Sequence, residues 1–115
     1  EELSPELGEE LRRRLFTMDV LFRMADQDVQ ALLRDFSDQE LALVLKGKEP
    51  SIRERIVANL SDRRRGYVEA EEAGLGSIRR AEAEKATRDF LDYLRDQAEQ
   101  GRWSIRRAGD DTLVS

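Results

Sequence analysis

From Asp26 to Arg79 the chain is written as short helices set end to end, each with its own start and stop signals. That punctuation leaves little room for anything but an all-helical body. Ser37-Asp38-Gln39-Glu40 has the form of a capping box, in which a hydroxyl and a carboxylate each take an orphan backbone N–H. Ser51 and Glu54 repeat the form after Pro50, and Ser61 opens a further segment. Asp26 reads as the cap of a helix carrying Val29, Leu32, Leu33 and Phe36 at i, i+3, i+4 and i+7. Leu41, Val44 and Leu45 form the next apolar face and end at Gly47, a natural left-handed terminator. Ile52, Ile56, Val57 and Leu60 form another. A long helix is expected from about Arg80 to Gln100, with Ala83, Thr87, Phe90, Leu91, Leu94 and Ala98 inward and Gly101 at its end.

The flanks are read from the same signals. Ser4-Pro5 opens a segment in which Leu3, Leu7, Leu11 and Leu15 recur every fourth residue. Residues 1–14 are therefore expected to be a connecting helix from an upstream domain, and the start at Glu1 suggests a piece of a longer protein. Residues 15–115 are expected to be one domain. Leu15-Phe16-Thr17-Met18 with Val20, Leu21 and Phe22 is the densest apolar stretch and reads as a bend and a short helix in the core. Trp103, Ile105, Leu113 and Val114 lie on either side of Gly109-Asp110-Asp111 and read as a tail that packs back. The expected fold is all-α: a compact bundle of about six helices with a short extended C-terminal tail.

Composition removes several functions. The 115 residues contain no cysteine and no histidine, so thiol nucleophiles, Ser-His or Cys-His catalysis, disulfides and Cys/His zinc sites are excluded. Glu71-Glu72 and Asp110-Asp111 are adjacent carboxylates without a surrounding ligand cluster, so neither a metal site nor acid–base catalysis is expected. Gly74-Leu75-Gly76-Ser77 lacks the phosphate-loop lysine and reads as a turn. A net charge of −5, with arginine runs interleaved with acids, argues against nucleic acid as a partner. No apolar run approaches the roughly 20 residues of a membrane span, and the lack of cysteine fits a cytoplasmic compartment.

One segment breaks a local rule. From Ser61 to Gly74 the basic residues Arg63, Arg64 and Arg65 come first and Glu69, Glu71 and Glu72 last, which opposes the helix dipole at both ends. Such violations concentrate where a surface has another use. On a helix, Arg63, Tyr67, Ala70, Glu71 and Gly74 fall along one stripe, positive at one end and negative at the other.

Taken together, residues 15–114 resemble the C-terminal domain of the bacterial flagellar motor switch protein FliG. Leu15-Phe16-Thr17-Met18 is similar to the family's Met-Phe-X-Phe hinge, with the first and last positions changed. The segment from Asp26 to Lys46-Gly47 matches D-x-x-x-Q-x-L-L-R followed by L-A-x-x-L-K-G. Ile52-Arg53-Glu54-Arg55-Ile56 and Asn59-Leu60-Ser61-Asp62-Arg63 match the run into the family's charged helix, and Gly76-Ser77-Ile78-Arg79 stands where the family has Gly-Pro-Val-Arg. Trp103-Ser104-Ile105 and Gly109-Asp110-Asp111 resemble its ending. The chain departs from the family at Arg64 and Arg65 (usually small), Ala70 (usually acidic), Glu72 (usually apolar) and Ser77 (usually proline), as a divergent member or paralogue does.

The resemblance implies a rotor subunit of the bacterial motility apparatus. It would lie peripherally at the cytoplasmic face of the inner membrane, in the ring of the flagellar basal body. By position, Lys46, Arg63, Glu71 and Arg79 would form a charged ridge facing the cytoplasmic loop of the stator protein MotA, with Glu72 extending its acidic part. Leu15, Phe16, Thr17 and Met18 would form the hinge. The switch protein FliM and neighbouring FliG subunits are the other implied partners. No enzyme activity, cofactor, metal or small-molecule substrate is implied. The plainer readings are a solvated charged face at α-helical spacing, and for Lys46 a cation that stabilises a helix C-terminus. A related scaffold module that has lost the stator contact is the alternative function.

Overall fold

The computed structural model describes residues 16–106. A 3-10 helix, Met18–Arg23, leads into five α-helices: α1 Asp26–Arg34, α2 Asp38–Leu45, α3 Pro50–Val57, α4 Asp62–Leu75 and α5 Arg80–Glu99. No strand occurs among the described residues. The expected all-helical bundle is what the chain forms. The expectations for residues 1–14, for Leu15 and for the segment 109–114 lie outside the described residues.

The centre of the bundle is α2, whose Leu41, Ala42, Val44 and Leu45 are all buried. A short helix that is apolar on nearly every side must be surrounded. It packs on both α4 and α5, while the 3-10 helix packs on α3. One core joins Val20 and Leu21 to Val29, Leu32 and Leu33 of α1, Ile52 and Ile56 of α3, Val68 of α4, and Phe90 and Leu94 of α5. Tyr93 stands edge-on to Phe36, and Trp103 closes the end of the core with its indole N–H on the Leu94 carbonyl at 3.1 Å.

Local signals are honoured where their partners are within one turn. Ser37 and Glu40 form the reciprocal box, at 3.0 and 2.8 Å, and the Ser61 hydroxyl accepts from Arg64 N–H at 3.1 Å. Gly47 takes φ 76°, the left-handed turn that ends α2. Three expectations are corrected. Asp26 is the first residue of α1, not its cap, which is Ala25. Ser51 and Glu54 do not form a box, because Pro50 occupies the first turn and Glu49 is the capping residue. Phe22 is 44% exposed instead of buried. In a 3-10 helix three residues complete a turn, so Met18 and Leu21 share the inward side and Phe22 is turned away from it.

The ends of the described chain meet. Arg106 N–H donates to the Arg23 carbonyl and the Arg23 guanidinium donates to the Arg106 carbonyl, each at 3.0 Å. Beside them Asp35 accepts from the Tyr93 hydroxyl and from Arg102, both at 2.5 Å, and the Arg102 guanidinium lies 4.7 Å from the Trp103 ring centre.

Candidate functional site: the charged face of α4

Only Val68 of α4 is buried, so this helix touches the core along a narrow line and shows most of its circumference to solvent. Four of the six charges that make up its reversed order are held in ion pairs within the domain. Arg64 reaches away from the helix and donates to the Leu33 carbonyl at 2.7 Å and to the Phe36 carbonyl, while its Nε meets Asp38 at 2.8 Å. A basic group in the unfavourable first turn of α4 thus lies against the negative C-terminal end of α1. At the other end Glu72 forms a two-pronged pair with Arg53 of α3, at 2.5 and 2.9 Å. The Arg53 guanidinium also donates to the last carbonyl of α2, that of Leu45, at 3.3 Å, and its hydrogen bonds to Glu72 raise the Arg53 pKa. Arg65 pairs with Glu69 one turn on, at 3.2 Å. Arg64 and Glu72, two of the departures from the resembled pattern, are therefore internal ties that fix α4 to α1, α2 and α3.

What remains on the outside is a smaller set. Arg63 is exposed; its Nε donates to the Tyr67 hydroxyl at 3.2 Å and its guanidinium carbon lies 5.7 Å from that ring centre. Glu71 is exposed and makes no ion pair among the described residues. Ala70 and Gly74 lie between and beyond them, exposed and small. The stripe expected from helical spacing is therefore the solvent face of α4.

The other candidates lie beyond this stripe. Lys46 caps the end of α2 half-buried and lines a groove of about 700 Å³ with Lys48, Ile78, Arg80, Ala83 and Leu91. Arg79 is exposed at the N-cap of α5, where its backbone N–H is taken by Glu82 at 3.2 Å. Lys46 and the 77–80 turn thus border one groove, while Arg63 and Glu71 share the stripe on α4. Glu72, expected to extend the acidic part of the ridge, is turned to Arg53. At the hinge positions Phe16 is half-buried beside the same groove, Thr17 is exposed ahead of the 3-10 helix, and Met18 is buried.

Within the groove the Lys48 ammonium donates to the Thr87 hydroxyl at 2.7 Å, and burial lowers its pKa. Neither Lys48 nor Arg53 is marked by a local signal in the sequence, because their partners lie 39 and 19 residues away. No group of acidic side chains suited to a metal ion occurs among the described residues.

The whole arrangement has known counterparts. Residues 1–105 match the family model described as the FliG C-terminal domain. The chain is 32% identical over 111 residues to the flagellar motor switch protein FliG of Thermotoga maritima, which covers 96% of the chain and 33% of that protein. It is 31% identical over 114 residues to FliG of Borreliella burgdorferi, covering 99% of the chain and 33% of that protein. The chain thus spans about a third of the length of the curated relatives it matches. Full-length FliG from Aquifex aeolicus superposes with a TM-score of 0.78 at 26% identity, over 85% of this chain and 30% of that one. A Helicobacter pylori FliG fragment shares the fold with a TM-score of 0.77 at 18% identity, over 86% of this chain and 44% of that one. With its order of helices and its charged α4, the chain belongs to the FliG C-terminal domain family.

Proposed function

We propose that this domain is the part of a flagellar rotor–switch subunit that meets the stator, through the exposed charges Arg63 and Glu71 of α4, with Lys46 and Arg79 as further contacts beyond that stripe. The observation that carries the reading is the sorting of charge on α4. Arg64, Arg65, Glu69 and Glu72 are all held in ion pairs within the domain, whereas Arg63 and Glu71 on the outer stripe have no oppositely charged partner among the described residues. Two opposite charges left available on one exposed stripe suit a partner with complementary signs.

The chemistry suits a contact that forms and breaks repeatedly. Exposed ion pairs are worth about 0.2–1 kcal/mol each and act over roughly 8 Å at physiological salt, so they favour fast encounter over long residence. The partner in this reading is the cytoplasmic loop of MotA, with FliM and neighbouring FliG subunits completing the ring and supporting direction switching. The domain acts as a mechanical interface, not as an enzyme. No described helix is long and apolar enough to cross a membrane; in this reading the domain sits peripherally at the cytoplasmic face of the inner membrane.

The test is complementation. The corresponding domain of a motile bacterium's rotor protein is replaced by this one, then by its Arg63→Glu and Glu71→Lys variants. The reading expects assembled but poorly rotating flagella for each reversal, with the isolated domain's melting temperature unchanged. Normal swimming by both variants overturns it. A scaffold that has lost the stator contact is the second reading, favoured by Ala70 where the family usually has an acid; it expects filaments that do not rotate even with the unaltered domain.

A further inference from the structure

The groove of about 700 Å³ follows one side of α5, from Arg80 through Ala83, Thr87 and Leu91 to Arg95. These positions recur every three or four residues and so share one face of the helix. Phe16 lines the same groove and also borders the hollow formed by Arg95, Ala98 and Trp103. The described chain therefore begins at the Arg95 end of that face. Cations outnumber acids along it. Arg80 pairs with Glu84 at 3.0 Å and Arg95 with Asp92 at 3.8 Å, which leaves Lys46, Lys48 and Arg88 without an acid partner among the described residues. The half-buried Lys48 ammonium is met only by an uncharged group, the Thr87 hydroxyl at 2.7 Å.

We infer that this groove is the seat of the chain's own residues 3–15, laid in it as a helix parallel to α5. Length and entry point agree. At about 1.5 Å per residue, a helix over 3–15 and the α5 face from Ala83 to Arg95 each span about 18 Å. Counting back from Phe16 at the Arg95 end, Leu15, Leu11, Leu7 and Leu3 come level with Arg95, Leu91, Thr87 and Ala83. The leucine stripe thus meets the apolar floor. The charges match in the same register. Glu6, Glu9 and Glu10 come level with Thr87 and Arg88, where Lys48 also lies, and Arg12 comes level with Asp92. Residues 1–10 hold Glu1, Glu2, Glu6, Glu9 and Glu10 and no basic residue, so the acid supply lies at the cationic part of the groove. A helix this short is marginal by itself, and its attachment at Phe16 gives it a high effective concentration at the groove. The seat uses neither Arg63 nor Glu71 and stands or falls apart from the stator-contact reading.

The chain has no cysteine, so cross-linking reads the seat directly. Leu11→Cys is combined with Leu91→Cys in the 115-residue chain, which is treated with a short bismaleimide in dilute solution. The control combines Leu11→Cys with Asp89→Cys, an exposed α5 position that borders a different hollow. The expected product is a cross-link within one chain, formed at least about tenfold faster in the first pair than in the control and at a rate independent of protein concentration. Adding Leu7→Glu to the first pair should abolish that excess. Adding Arg88→Glu should reduce it, more at low salt than at high. Because Leu91 packs against the core, Leu3→Cys with Ala83→Cys repeats the measurement without touching a core neighbour. Equal rates in facing and control pairs overturn the seat. A covalent dimer as the main product also overturns it, because the segment then lies in the groove of a second copy.

Discussion

Two adjacent arginines of one run, Arg63 and Arg64, should behave as different kinds of residue. Arg64 donates to the Leu33 and Phe36 carbonyls and pairs with Asp38, with its side chain 23% exposed. Hydrogen bonds to a charged group contribute about 1.5–3 kcal/mol each when well shielded. Here the site borders an open cleft shared by Leu33 and Arg64, so water can reach the carbonyls once the guanidinium is gone, and the ion pair with Asp38 is partly screened. A net loss of about 2 kcal/mol for Arg64→Ala follows. For a domain of this size that lowers the melting temperature by about 8–15 °C. Arg63→Ala removes an exposed group and should stay within about 0.5 kcal/mol of the parent. Arg64→Lys, which keeps the charge but gathers its donors on one nitrogen that cannot span acceptors set around a planar guanidinium, should fall between the two. Thermal and urea melts followed by far-UV circular dichroism decide the matter. Equal melting temperatures for Arg63→Ala and Arg64→Ala would falsify the division of α4 into internal ties and an outward stripe.

Gly66→Ala should stabilise the domain by about 0.5–1 kcal/mol, since the position is within a helix and the added carbon meets nothing; a lower melting temperature would contradict this. Arg53 and Glu72 should couple in a double-mutant cycle by about 0.5–1.5 kcal/mol, because the pair is bidentate and only partly exposed; full additivity would remove the tie from the account. The Asp35–Tyr93–Arg102 cluster should set a pH window. Hydrogen bonds from Arg102 and then Tyr93 hold the Asp35 pKa below 3.8, so its stabilising share is complete above that value and is lost as pH falls through the folded pKa. The bond to Asp35 raises the Tyr93 pKa above 10.0, so its share is complete below 10.0 and is lost as pH rises through the folded pKa. Asp35→Asn should flatten the acid side of the stability profile, and an unchanged profile counts against the cluster.

Features whose causes lie within one helical turn were legible in the sequence. The Ser37–Glu40 box, the Ser61 cap, the Gly47 terminator and the outward stripe of α4 all follow from spacing alone. The order of helices follows from the caps and apolar spacing, and the family resemblance supplies the candidate ridge. What was not legible depends on contacts across the fold. Nothing local says that Arg64 reaches α1 or that Glu72 pairs with Arg53. Phe22 failed for a different reason: the change from α to 3-10 winding alters which positions share a face. The Ser51–Glu54 motif lost to Pro50, whose fixed φ starts α3 two residues earlier, with Glu49 as the cap.

The seating of Trp103 has a practical consequence. It is the only tryptophan of the chain, and its indole is 4% exposed, bonded to the Leu94 carbonyl and flanked by Tyr93 at 6.5 Å. Tryptophan fluorescence, excited selectively over Tyr67 and Tyr93, therefore reads one place in the molecule, the anchorage of its exit segment on α5. Emission stays blue while the indole is sheltered and moves red once water reaches it, whereas events on the outer face of α4 leave it unchanged. Loosening of the exit and engagement of a partner can thus be followed as separate optical signals without attaching a dye.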